Sequence, residues 1–234
     1  MLDNASAGAP RRAVLKSGLA LGGLLAVPGA VSAALRAERR MSPAAQANLA
    51  EAAATGSERP LTSSRVVRPD LMKRALTALG RHADAIPHHD RIAVVDFTAP
   101  SSQARFHIVD ITSGDSTSYL VAHGSGSDPS HTGWLQRFSN DPGSNASCEG
   151  AFLASDYYVG KHGRSQRLIG LDSTNNNALG RAIVVHSAWY SNPDMLRTHG
   201  MLGRSQGCFA VGEGDLQRVF DRLGEGRMIF AAKV

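Results

Sequence analysis

A thiol and an imidazole are the groups in this chain best suited to covalent chemistry. Cys208 ends the string GRSQGC, and His186 lies 22 residues before it, at the end of the apolar run 182–185. A thiol becomes a strong nucleophile only when a neighbour holds its proton or stabilises its thiolate, and a nearby imidazole does both. The run AIVV is β-branched and short, which predicts a buried strand with His186 emerging from the core at its end. Gly203 and Gly207 bracket Cys208, so backbone can approach a substrate there and amide N–H groups can face a developing oxyanion. Between the two residues, Asn192 reads as a cap and Pro193 as the first turn of a short helix reaching His199 and ended by Gly200.

Other polar residues compete for these roles. His199, at a helix C-terminus, is the second candidate for a base, and His123 and His162 each precede a glycine that could border a cleft. His131, Asp128 and Asp141 share a loop, but no HExxH, HxH or CxxC spacing accompanies them, so no metal and no cofactor is expected. Cys148 is the only other cysteine. In an exported protein a pair of cysteines suggests a disulfide, and a Cys148–Cys208 bridge would remove the nucleophile and leave a non-catalytic secreted wall-binding module.

The elements that must position the pair are mostly strands. Short apolar or alternating runs at 92–97, 104–111, 117–122, 151–157, 167–171, 182–186, 208–211 and 228–232 are separated by Gly, Ser, Pro, Asn and Asp. A helix from Pro69 to Gly80 puts Leu71, Met72, Ala75, Leu76 and Leu79 on one face, and a closing helix at 215–223 does the same with Leu216, Val219, Phe220 and Leu223. The fold class expected is mainly β with flanking helices. No period of 20–50 residues repeats, which excludes solenoids and propellers.

Residues 1–33 read as a twin-arginine export signal: Arg11-Arg12, an apolar stretch from Leu19 to Val27, then the small residues of Val31-Ser32-Ala33. Residues 34–65 are Ala-rich and poor in large apolar side chains, a marginal helix or linker, and 66–234 form the folded domain. No stretch after the signal is long and apolar enough to cross a bilayer. The net charge of +5 comes without a nucleic-acid motif or basic–aromatic interleaving, so it points to an anionic envelope rather than to nucleic acid.

The string HSAWYSNPDMLRTHGMLGRSQGC resembles the signature of the L,D-transpeptidases of YkuD-like fold. The segments VVDFTAPSSQARFHIVD, VAHGSGS, RFSNDPGSNASCEGAF, YYVGKHGRSQRLIGLD and GRAIVVHSAWY resemble successive blocks of the murein L,D-transpeptidase catalytic domain family, over about 90–234. That resemblance implies a mixed β-sandwich or barrel and a periplasmic or envelope enzyme acting on peptidoglycan stem peptides through a thioester on Cys208. It also implies His186 as base, the Ser187 carbonyl orienting it, and Gly207 beside the oxyanion. His162, Gly163, Arg204, Ser205 and Gln206 are implied as substrate contacts. Two departures stand out: Ala210 replaces an arginine common two places after the cysteine, and Ser187 replaces a glycine after the histidine.

Overall fold

The structure is a computed structural model that describes residues 66–234. The export signal and linker read at 1–33 and 34–65 lie outside the described residues. Helix α1 (Pro69–Arg81) begins with proline in its first turn, where the missing N–H costs nothing, and carries Asp70 at its positive end. Its buried face is Leu71, Met72, Ala75, Ala78 and Leu79, packed on Ile92, Val94, Met228 and Phe230. Each long apolar side chain buried in this way contributes about 1.5–3 kcal/mol.

Nine strands follow: β1 (Arg91–Asp96), β2 (Phe106–Asp110), β3 (Ser116–Tyr119), β4 (Val121–Ala122), β5 (Gly150–Gly160), β6 (Gly163–Gly170), β7 (Val184–Ser187), β8 (Phe209–Val211) and β9 (Met228–Ala232). They form one sheet in the order β3-β2-β1-β9-β5-β6-β7-β8-β4. Pairs β1/β9 and β7/β8 are parallel, and the others are antiparallel. The two edge strands of this order, β3 and β4, are separated along the chain by Leu120 alone. The sheet therefore has to wrap until its edges meet, and Tyr119 and Val121 from opposite edges accordingly share one core with Val95, Phe152, Phe209 and Ile229. This is the mixed, barrel-like β fold that the sequence leads one to expect.

The corner at Leu120 is fixed by Arg105, whose side chain is fully buried. Its Nε and Nη2 donate to the Val121 carbonyl at 3.1 and 3.0 Å, and its Nη1 donates to Ala99 O at 2.8 Å. The run read from sequence as one strand at 117–122 is thus two. Tyr119 pairs with Phe106 and Val121 with Val211, because the guanidinium takes the carbonyl that a continuous strand would turn to a neighbour. Helix α2 (Asp194–His199) ends as expected, with Gly200 left-handed at φ 71°. Asn192 does not cap it. Its Oδ1 accepts from Glu213 N–H and its Nδ2 donates to Glu213 Oε2, which ties α2 to the start of helix α3 (Leu216–Leu223). Among the described residues, no helix is long and apolar enough to cross a membrane.

Candidate active site

The parallel pairing of β7 with β8 brings the two chemical residues together. His186 is opposite Ala210 and Val185 opposite Phe209. Side chains alternate along a strand, so Val185, Phe209 and Val211 enter the barrel core while His186, Ala210 and Cys208 face the other way. Cys208 therefore lies one step diagonally from His186 on a single face. The departure at position 210 has its reason here: Ala210 is fully buried with Ala122, Ala188 and Leu202, and that space does not admit a guanidinium.

His186 is buried, and its Nδ1 lies 2.8 Å from the carbonyl oxygen of Ser187. A carbonyl can only accept, so Nδ1 carries the hydrogen and Nε2 of the neutral ring is left to take a proton. Burial holds the imidazole below its ordinary value; the Ser187 carbonyl opposes this, and the charges of His162 and Lys161 add to it. The His162 ring stacks on His186 with centroids 4.4 Å apart, projecting from the β5–β6 hairpin whose turn Gly163 makes at φ 74°.

Cys208 is half-buried on the cleft floor, and its Sγ lies 3.5 Å from the carbonyl of Ala182. Ala182 is itself in the left-handed region at φ 54°, a conformation costing an alanine about 1–2 kcal/mol. Its N–H and that of Ile183 bond back to Leu179 and Ala178, so the strand read from 182 starts instead at Val184. Burial pushes the Cys208 thiol up, against the Val184 amide and the charges of Lys161 and Arg181. A lowered thiol value, the usual result of a neighbouring imidazole, is not what this surrounding gives. Both directions favour the uncharged forms, a thiol and an imidazole.

The turn before Cys208 is stapled internally. Ser205 Oγ accepts from Gly207 N–H at 3.1 Å and donates to Cys208 O at 2.7 Å. These two bonds use its donor and one of its two lone pairs, so this hydroxyl shapes the loop, and the Gly207 N–H is likewise taken. Gly207 sits at φ 112°, and a Cβ there would come within 2.7 Å of Ala146 O and 2.8 Å of Ile183 Cδ1. Gly207→Ala is therefore expected to cost about 1–3 kcal/mol and, by shifting Cys208, about a hundredfold in turnover. Thermal unfolding and a rate assay on the same preparation check both.

Behind the loop stands a buried polar chain that the sequence did not disclose. Arg105 Nη2 donates to His123 Nδ1 at 2.7 Å, and His123 Nε2 faces Asp128 Oδ2 at 3.4 Å. Asp128 also accepts from the amides of Thr132 and Gly133. Burial and the Arg105 charge push His123 down to about 4, so it stays neutral. The His123 carbonyl accepts from Ser205 N–H at 2.9 Å, and Ser147 Oγ donates to Gly207 O at 3.1 Å. His123 is thus a support of the loop that leads into Cys208, not a cleft residue. Arg105 and Ser147 fall inside segments that carry the family resemblance, but nothing in their spacing marks either as a buried support of this loop.

Both cysteines are free thiols. Cys148 is buried, and Arg181 Nη1 donates to its sulfur at 2.7 Å while also holding Ser139 O; Arg181 Nη2 holds Ala146 O. The alternative of a Cys148–Cys208 bridge is not what the structure contains.

These residues surround a cleft of about 780 Å³. His186, Cys208, His162, Arg204, Ser205 and Gln206 line it; His123, His131, His199 and Asp141 do not. His131 Nε2 instead meets Leu202 O at 3.0 Å, and His199 is exposed on the last turn of α2. Tyr158, Lys161, Arg181 and Tyr190 are lining residues that motif reading missed.

The family model for the L,D-transpeptidase catalytic domain matches residues 63–232. The chain belongs to that family. It is a family of cysteine-dependent acyltransferases acting on peptidoglycan. No curated protein matches the chain. Among solved structures, L,D-transpeptidase LdtMt1 in complex with imipenem is 16% identical with a TM-score of 0.37, covering 61% of this chain and 59% of that one. L,D-transpeptidase 3 from Mycobacterium tuberculosis, with a faropenem-derived adduct, is 13% identical with a TM-score of 0.38, covering 61% and 60%. An L,D-transpeptidase from Xylanimonas cellulosilytica is 14% identical with a TM-score of 0.36, covering 65% and 68%. The match thus spans about three-fifths of the length of the first of these chains.

Proposed function

We propose that this L,D-transpeptidase family member is an exported cell-envelope enzyme that acts on peptidoglycan stem tetrapeptides through a thioester on Cys208. The observation that supports this best is the tautomer fixed by the Ser187 carbonyl, which leaves Nε2 of His186 to accept a proton in the cleft that Cys208 also lines. In the first half-reaction His186 takes the thiol proton as sulfur attacks the carbonyl of the third stem residue. The charge that develops on oxygen is met by backbone amide, and since Ser205 takes the Gly207 N–H we assign this to the Cys208 amide. The intermediate collapses, the C–N bond breaks, and His186 returns the proton to the departing D-alanine amine. In the second, an amine of another stem, or water, gives up a proton to His186 and attacks the thioester, restoring the thiol. An amine gives a cross-link and water gives L,D-carboxypeptidase activity.

Starting from neutral partners means that proton transfer accompanies attack, and buried dipoles then act at full strength on the charge that appears. His162, Arg204, Ser205 and Gln206, which line the cleft, are assigned to the substrate together with Gly163 at the hairpin turn beside them, and Gly207 to the shape of the loop. Incubation of the purified protein with tetrapeptide muropeptides tests the proposal: release of D-alanine, with dimers or tripeptides as products, is expected. Unchanged muropeptides after prolonged incubation with folded protein would contradict it.

A further inference from the structure

The two thiols lie closer in the fold than in the chain. Ser147 Oγ donates to Gly207 O at 3.1 Å, and a Cβ on Gly207 would come within 2.7 Å of Ala146 O, so the segments leading into Cys148 and Cys208 touch. A charge on Cys208 is felt at Cys148. Neighbouring thiols in an oxidising compartment are open to disulfide exchange, and a bridge here would consume the nucleophile. Both are nevertheless free, with Cys148 in the barrel core and Cys208 on the cleft floor.

Two consecutive residues of one turn hold the sulfurs apart. The Arg181 guanidinium binds the segment 139–148: Nη1 donates to Ser139 O at 2.8 Å and to Cys148 Sγ at 2.7 Å, and Nη2 to Ser144 Oγ at 3.1 Å and Ala146 O at 2.6 Å. The Cys148 S–H in turn faces Asn140 Oδ1, 3.9 Å away, so this sulfur is held from both sides. A Cβ on Gly207 would lie 3.3 Å from Arg181 Nη2, so the guanidinium reaches from Cys148 to the residue before Cys208. One residue on, the carbonyl of Ala182 takes the Cys208 thiol at 3.5 Å. Ala182 stands in the left-handed region at φ 54°, a strain of the kind that clusters at working sites.

We propose that Arg181 is a positioning residue that keeps Cys208 reduced: it pins the Cys148 sulfur in the core while the Ala182 carbonyl holds Cys208 in the cleft, and so blocks the bridge between them. The blocked reaction has two steps. The Cys208 thiolate attacks a disulfide oxidant such as oxidised glutathione and expels one glutathione thiolate. Cys148 then gives up its proton, attacks the mixed disulfide and expels the second, so two protein thiols become one disulfide and the oxidant leaves as two thiols. Only the second step needs Cys148 to reach Cys208, and a sulfur held elsewhere cannot make the required geometry. The inference rests on the proposed function in taking Cys208 as the nucleophile.

The experiment incubates wild type, Arg181→Met and Arg181→Lys with oxidised glutathione at mildly alkaline pH and follows the link between the Cys148 and Cys208 peptides by non-reducing peptide mapping. Circular dichroism verifies that each protein is folded. Wild type should stop at the mixed disulfide on Cys208. Arg181→Met should go on to the Cys148–Cys208 bridge at least about tenfold faster than wild type, since the freed thiol gains access. Arg181→Lys keeps the charge and a donor, so its rate should lie between, and it takes the place of Arg181→Met if that variant does not fold. An arginine that only braced the loop would change thermal stability without pairing the thiols. A bridge forming as fast in native wild type as in a folded variant, or folded variants whose thiols stay unpaired, overturns the proposal. Because the readout is mass rather than turnover, a wild type that leaves muropeptides unchanged contradicts the proposed function and leaves this result standing.

Discussion

Cys208→Ala should lower turnover by about 10⁴- to 10⁶-fold while leaving the protein folded, because it removes the atom that forms the thioester. The side chain is half-buried and small, and the surrounding loop is held by Ser205, Ser147 and the His123 carbonyl rather than by the sulfur. A Tm shift of no more than about 2 °C is therefore expected. Cys148→Ser is the comparison that separates nucleophile from packing. Its hydroxyl can still accept from Arg181, so most activity should remain. Thermal unfolding alongside a muropeptide assay reads both outcomes. A Cys208→Ala protein that fails to fold, with wild type inactive, would make Cys208 structural.

Replacing the base is the second large effect. His186→Gln should leave about a hundredth to a ten-thousandth of the rate, since proton transfer is slowed but the thiol remains. The pH profile carries more information than the rate. Burial lowers His186, so its neutral form survives below the ordinary imidazole value of 6.5, and kcat/KM should fall only at pH below that value. Burial raises Cys208, so iodoacetamide labelling should climb only above the ordinary thiol range. His199→Gln should change neither curve, because His199 is exposed on α2 and does not line the cleft. A profile altered by His199→Gln and untouched by His186→Gln would move the role to His199.

The sequence disclosed the pair because apolar runs flank it. The alternation through 184–186 and 208–211 places His186 and Cys208 on the face opposite Val185, Phe209 and Val211, and the β7–β8 pairing obeys it. Most strands, all three helices and the ending at Gly200 were legible on the same grounds. What escaped were features made by residues far apart in the chain. The break at Leu120 depends on the buried Arg105 guanidinium, the start of β7 on the left-handed Ala182, and the loop staple on Ser147. Local propensity registers none of these. The thiol's raised value escaped for a related reason: an imidazole neighbour suggests thiolate character, but desolvation is set by what residues distant in the chain pack around the sulfur.

The central claim is that Cys208 becomes acylated by the substrate. Intact-mass spectrometry of the protein rapidly quenched with a stem tetrapeptide, followed by peptide mapping, tests it most directly. The result expected is a mass gain equal to the tetrapeptide minus D-alanine, hydroxylamine-labile as a thioester is, confined to the peptide containing Cys208 and absent from Cys208→Ala. Turnover continuing in Cys208→Ala, or an adduct mapped to Cys148 or to another residue, would contradict it.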